Sequence, residues 1–222
     1  MEARNLVKKA SCNAFLSQFD AAVKDFEKAL TFKGVFTEDQ LAKMQRDVSL
    51  ITRRKESNEI KLTGDIAFAH GHLTDALAAY EEAVELDASN EYALSNIGVI
   101  HLKRGDYDKC LEYTERALHI IDCFHPDTKE FMKDNRLEVK LLMRRAKCNE
   151  EKDNFEKAKD DLEKASFLDK NDEAVKIQLK RVQGKLSTIR FEEYRERANT
   201  YLKDKMFPEA LQFYDKCLKI TR

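Results

Sequence analysis

Tryptophan is absent from the 222 residues, and proline and glycine are scarce, at two and six. An all-β fold of this length needs many turn residues, so their scarcity points to helix throughout. No apolar run approaches the roughly 18 residues of a membrane span, and the N-terminus is polar, so neither a membrane helix nor a secretory signal is expected. A charge excess is also missing: 40 basic residues face 41 acidic ones, for a net charge of −1. That excludes a large basic field for nucleic acid or anionic lipid, though not a local basic groove. The cysteines (Cys12, Cys110, Cys123, Cys148, Cys217) are odd in number and form no CxxC pair. A zinc or disulfide framework is therefore not indicated, and a reducing compartment is the default. The histidines (His70, His72, His101, His119, His125) lack metal-ligand spacing, and no GxSxG, P-loop or glycine-rich phosphate cradle occurs. No enzyme, metal or cofactor is expected.

What is present is a repeat. Residues 57–90, SNEIKLTGDIAFAHGHLTDALAAYEEAVELDASN, read as two amphipathic helices with a tight turn at Gly71. Small residues stand where helices must approach closely, Gly64 in the first and Ala76 and Ala83 in the second, with Tyr80 beside them. This spacing resembles the tetratricopeptide-repeat signature, with Ala88 where a proline is usual. The resemblance implies an all-α fold, an α-solenoid of stacked helix-turn-helix units, because one such unit cannot bury its apolar face alone.

Further copies start near residues 3, 91, 139 and 191. Ala10, Ala22, Phe26 and Ala29 keep the spacing in the first, and Ala198, Ala210, Tyr214 and Cys217 in the last. Cys110 and Cys217 take small-residue positions, as packing atoms, while Thr114 takes the aromatic position of the third copy. Two long bridging helices are predicted, at about 38–69, opened by the capping box TEDQ from Thr37 to Gln40, and at 172–204. Pro126 in HPDT ends one helix and opens an insertion that runs to Leu137; Pro208 suits the first turn of the last helix.

A larger period overlies the small one. Arg4 onward aligns with Lys140 onward, and residues 57–86 align with 191–220. The expected organisation is therefore a repeat at 1–36 closing one module, a bridging helix at 37–56, a three-repeat module at 57–172, a second bridge at 173–190, and a repeat at 191–222 opening another module. On this reading the chain is a segment of a longer array. Val7 and Phe26 at one end, and Tyr214 and Leu218 at the other, would lack a covering repeat and could drive self-association.

In the tetratricopeptide family the first helices of the repeats line a concave groove, and polar residues there carry binding. Lys61, Asp65, Asn96, Lys140 and Arg144 are the candidates, the pairs four apart sharing a helix face. These residues resemble the carboxylate clamp of co-chaperone modules that grip the acidic C-terminal tails of the 70-kDa and 90-kDa heat-shock chaperones. Lys61, Asn96 (in LSNIG), Lys140 and Arg144 (in KLLMRRA) match four clamp positions. Asp65 stands where the clamp has an asparagine, and an ionised aspartate cannot donate a hydrogen bond to a carboxylate. The clamp is then weakened or retuned, with Asp65 neutralised by Lys61 or used for a basic group. Arg4 and Lys8 occupy the places of Lys140 and Arg144 in the first repeat, and Arg195 and Asn199 match the clamp in the last.

The resemblance extends to organising co-chaperones and to cytoplasmic assembly factors of axonemal dyneins. It implies a peptide-binding scaffold in the cytoplasm, with no nucleic acid or membrane partner. The alternative is a structural scaffold of a ciliary or centriolar complex, in a ciliary or centrosomal setting.

Overall fold

The computed structural model describes residues 2–123 and 135–220. Among them it contains ten helices and no strand: α1 (Glu2–Phe15), α2 (Phe19–Leu30), α3 (Glu38–Ala69), α4 (Leu73–Leu86), α5 (Glu91–Arg104), α6 (Tyr107–Cys123), α7 (Asn135–Glu151), α8 (Phe155–Leu168), α9 (Glu173–Lys203) and α10 (Phe207–Ile220). The two long helices, α3 and α9, fall where long helices were expected, at about 38–69 and 172–204. Thr37 and Gln40 form the reciprocal capping box of α3, and Asp172 caps α9 through the Ala174 and Val175 amides. The HPDT break and the insertion after it lie outside the described residues, except for 135–137 at the start of α7.

The turns within the helix pairs share one conformation. Gly71 sits at φ +80, where a side chain would be strained. Gly105 adopts the same region, and so do Ser17, Asp153 and Lys205, which are not glycine. Each of these three bears the left-handed cost of about 1–2 kcal/mol, and residue type alone did not mark them.

Two compact units make up the chain, 1–100 and 101–222, the division falling inside α5. In the first unit, α1 packs on α2, α2 on α3 and α3 on α4. Ala10, Phe26, Ala29 and Met44 form a core, joined by Leu6, Val7, Leu41, Val48 and Ile51. This corrects the expectation of a bare first repeat. Phe26 is only 2% exposed, because the N-terminal half of α3 lies over it and brings Met44 to the position a covering repeat would take. Burying a side chain of that size stabilises by about 1.5–3 kcal/mol.

The second unit uses the same device. Ala146, Ala158, Leu162, Val182 and Leu186 form a core with Met143, Phe155 and Leu179, so the N-terminal half of α9 covers the α7–α8 pair. Its last helix differs: Leu218 remains 62% exposed, and Tyr214 is half-buried. Cys110 and Cys217 are buried at their small-residue positions, and Thr114 is fully enclosed.

The larger period also shows in buried polar pairs. Lys9 and Asn13 hold Asp25, at 3.0 and 2.9 Å. At the matching positions Arg145 grips Asp161 with two bonds of 2.9 and 2.5 Å. Both aspartates are buried, so each needs its cation to offset desolvation.

Candidate peptide-binding residues

In the first unit the candidates assemble around a glycine. A Cβ placed on Gly64 would lie 2.6 Å from Cε1 of Tyr80, so only glycine lets that ring approach α3 so closely. Tyr80 is consequently 1% exposed. Its hydroxyl, carried across from α4, donates to Asp65 Oδ1 at 2.8 Å. Burial first, and then the Asp65 carboxylate, push the Tyr80 phenol well above its ordinary range.

Asp65 has two further donors. Lys61, one turn earlier, donates to Oδ2 at 2.6 Å, and Asn96 Nδ2 of α5 donates to Oδ1 at 2.9 Å. Of the two sequence-based expectations for Asp65, neutralisation by Lys61 is the one the geometry displays. A cavity of about 160 Å³ opens beside this cluster, lined by Asp65, Phe68, Tyr80, Asn96 and Val99.

Sequence reasoning missed what sets Asn96 in place. Asn90 Oδ1 accepts from the Ala93 amide at 3.1 Å and so caps α5, while its Nδ2 donates to Ser57 Oγ at 2.7 Å and to Asn58 Oδ1 at 3.0 Å. Ser57 Oγ in turn donates to the Ala83 carbonyl at 2.7 Å. A cap signal was available, an asparagine directly before a helix start; nothing in the sequence marked Ser57 as its buried partner. Arg54 adds a second tie from α3, bonding Asp87 at 2.8 Å and also Glu91. Burial raises the Asp87 pKa, but Ser89 and Arg54 outweigh it, and the carboxyl lies below its usual range.

In the second unit, Lys140 is exposed on α7 and forms no ion pair among the described residues. Arg144, one turn on, is half-buried beside Cys110 and Cys148. Burial lowers its pKa, an effect the two thiols partly offset. The hydrogen bond from Cys148 lowers the Cys110 thiol, while that bond and burial raise Cys148. Its neighbour Arg145 pairs with Asp161.

The remaining candidates are more exposed. Asn199 Oδ1 accepts from the Tyr214 hydroxyl at 2.7 Å. Arg195 pairs with Glu192 and lies 6.0 Å from the Phe191 ring centroid. Arg4 and Lys8 lie exposed on α1. His70 and His72 are exposed on either side of Gly71, and no group of three or more His, Cys, Asp or Glu among the described residues could hold a metal ion. No described helix is long and apolar enough to cross a membrane.

The helix pairs, the close contact at Gly64 and the turn at Gly71 coincide with matches to known repeat families. A model described as "TPR repeat" matches residues 64–105, and two described as "Tetratricopeptide repeat" match 91–121 and 3–34. The chain carries tetratricopeptide repeats. Hsp70-Hsp90 organizing protein 3 of Arabidopsis thaliana is 26% identical over 164 residues, covering 70% of this chain and 29% of that protein. The Hsp70-Hsp90 organising protein of Plasmodium falciparum is 24% identical over 173 residues, covering 74% and 29%. The chain thus spans less than a third of the length of these relatives.

Solved tetratricopeptide domains share the fold. The P58(IPK) TPR domain superposes with a TM-score of 0.56 at 14% identity, over 98% of this chain and 54% of that one. The first TPR of Spaghetti (RPAP3), solved bound to the HSP90 peptide SRMEEVD, gives 0.51 at 17% identity, over 60% and 94%.

Proposed function

We propose that this tetratricopeptide chain is a protein-interaction scaffold of co-chaperone or assembly-factor type that binds an acidic peptide tail. The observation that carries the reading is the basic pair on α7: Lys140 exposed, with Arg144 one turn away on the same helix face. Two cations at that spacing suit the side-chain carboxylates of an extended acidic peptide, and a guanidinium can bind one through two parallel bonds. The similarity to the Hsp70-Hsp90 organizing proteins supports the same class of partner.

The test is a fluorescence-anisotropy titration with SRMEEVD as probe. Charge-assisted contacts contribute about 1.5–3 kcal/mol each, so Arg144→Ala should weaken binding by roughly tenfold or more, and Lys140→Ala by somewhat less. Affinity should also fall as salt is raised, because exposed charges are screened. Salt-independent binding, or full affinity in both variants, would overturn the proposal. Failure to bind together with self-association would instead favour a structural array.

A further inference from the structure

We propose that Asp65 fills, from within the chain, the place where the first unit would otherwise hold a ligand carboxylate, so that a peptide is read there through main-chain N–H groups and not through a terminal carboxylate. This rests on the reading of the chain as an acidic-peptide binder and specifies what part of the peptide the first unit accepts.

Three donors converge on one point: the Lys61 ammonium, the Tyr80 hydroxyl and the Asn96 amide. Such a set would suit an incoming carboxylate, and here all three already serve Asp65. The formal charges of Lys61 and Asp65 cancel, so no net positive charge remains to draw a second anion. A ligand carboxylate would also meet the negative oxygens of Asp65 directly. Oδ1 accepts two bonds and Oδ2 one, which leaves an acceptor direction on Oδ2. The Asp65 side chain is 36% exposed, so that direction can be reached. The group that satisfies it is a donor. In the interior of a peptide, main-chain N–H groups are donors of that kind, and Phe68 and Val99 in the adjoining cavity suit a small apolar side chain beside them.

The tyrosine bond by itself does not require the charge. In the last repeat the Tyr214 hydroxyl bonds Asn199 at 2.7 Å, the same tyrosine-to-acceptor contact made with a neutral amide. The tyrosine contact therefore accepts asparagine, and what aspartate adds is a charge that pairs with Lys61 and an acceptor that faces the cavity.

The experiment titrates the 222-residue chain and its Asp65→Asn variant with SRMEEVD as the free acid and as the C-terminal amide, with thermal melts to show that both proteins fold. The unaltered chain should bind the two forms within about twofold. Asp65→Asn frees Lys61 and supplies a donor, and should prefer the free acid by about tenfold. A tenfold preference for the free acid in the unaltered chain would overturn this inference alone, whatever the variant does. An Asp65→Asn protein that folds and remains indifferent would also overturn it. Binding of neither form to the unaltered chain would overturn the acidic-peptide reading and this inference with it.

Discussion

The second and fifth repeats carry one motif in two chemical versions. In the second, Gly64, Asp65 and Tyr80 form a closed set: the tyrosine is buried, and its hydroxyl ends on a carboxylate that Lys61 and Asn96 also hold. In the fifth, Ala198, Asn199 and Tyr214 occupy the matching positions: the tyrosine is half-buried, and its hydroxyl ends on an amide. Arg195, the counterpart of Lys61, turns to Glu192. The two versions show that the tyrosine bond needs an acceptor and not a charge. They also show that one methyl group on α3 or α9 goes with a change in how deeply the ring sits.

The repeats should differ first through that methyl. Gly64→Ala forces a Cβ to within 2.6 Å of the Tyr80 ring, and overpacking of this kind costs about 1–3 kcal/mol. Ala198→Gly removes a methyl at the equivalent site and should cost only about 1 kcal/mol, mainly through helix propensity. Urea denaturation of the two variants measures both, and equal losses would break the comparison.

The hydroxyl should come next. Tyr80→Phe removes a bond to a carboxylate inside a packed site and should destabilise by about 1.5–3 kcal/mol, against about 0.5 for Tyr214→Phe at an exposed amide. The pH dependence follows from the raised Tyr80 phenol. In the unfolded chain a tyrosine ionises from about pH 10, whereas in the fold Tyr80 keeps its proton. The folded state then binds more protons, so the stability from this group is whole below that pH and is lost as pH rises above it. Tyr80→Phe should flatten the alkaline loss. Denaturation midpoints at pH 8 and above 10 decide the matter.

The smallest effect concerns the turns that precede α4 and α10. Gly71→Ala should cost about 1 kcal/mol, because alanine is strained at φ +80. Lys205→Gly should gain less than about 1 kcal/mol, since glycine relieves the strain at φ 60 but adds entropy to the unfolded chain. A loss of stability in Lys205→Gly would mean that the lysine side chain contributes more than its backbone costs.

How much could be read beforehand varies residue by residue. The Thr37–Gln40 box and the close packing at Gly64 were both legible, the first from residue type at a fixed offset and the second from the repeat spacing. The cover over Phe26 was misjudged because Leu41, Met44 and Val48 mark an apolar stripe without saying what it meets. The Arg54 pairs and the buried Ser57–Asn90 bond left no mark in the chain, since charged and hydroxyl residues are common on solvated helices.

The sequence by itself determined the helices, their pairing into repeats, and which positions must be small, because these follow from periodicity, capping and steric volume along a few successive turns. Only the tertiary structure decided what becomes of Asp65. Its partners Tyr80 and Asn96 lie 15 and 31 residues away. Whether a carboxylate faces a ligand or is held by its own chain depends on side chains from three helices meeting within hydrogen-bond distance, and local pattern does not encode that distance.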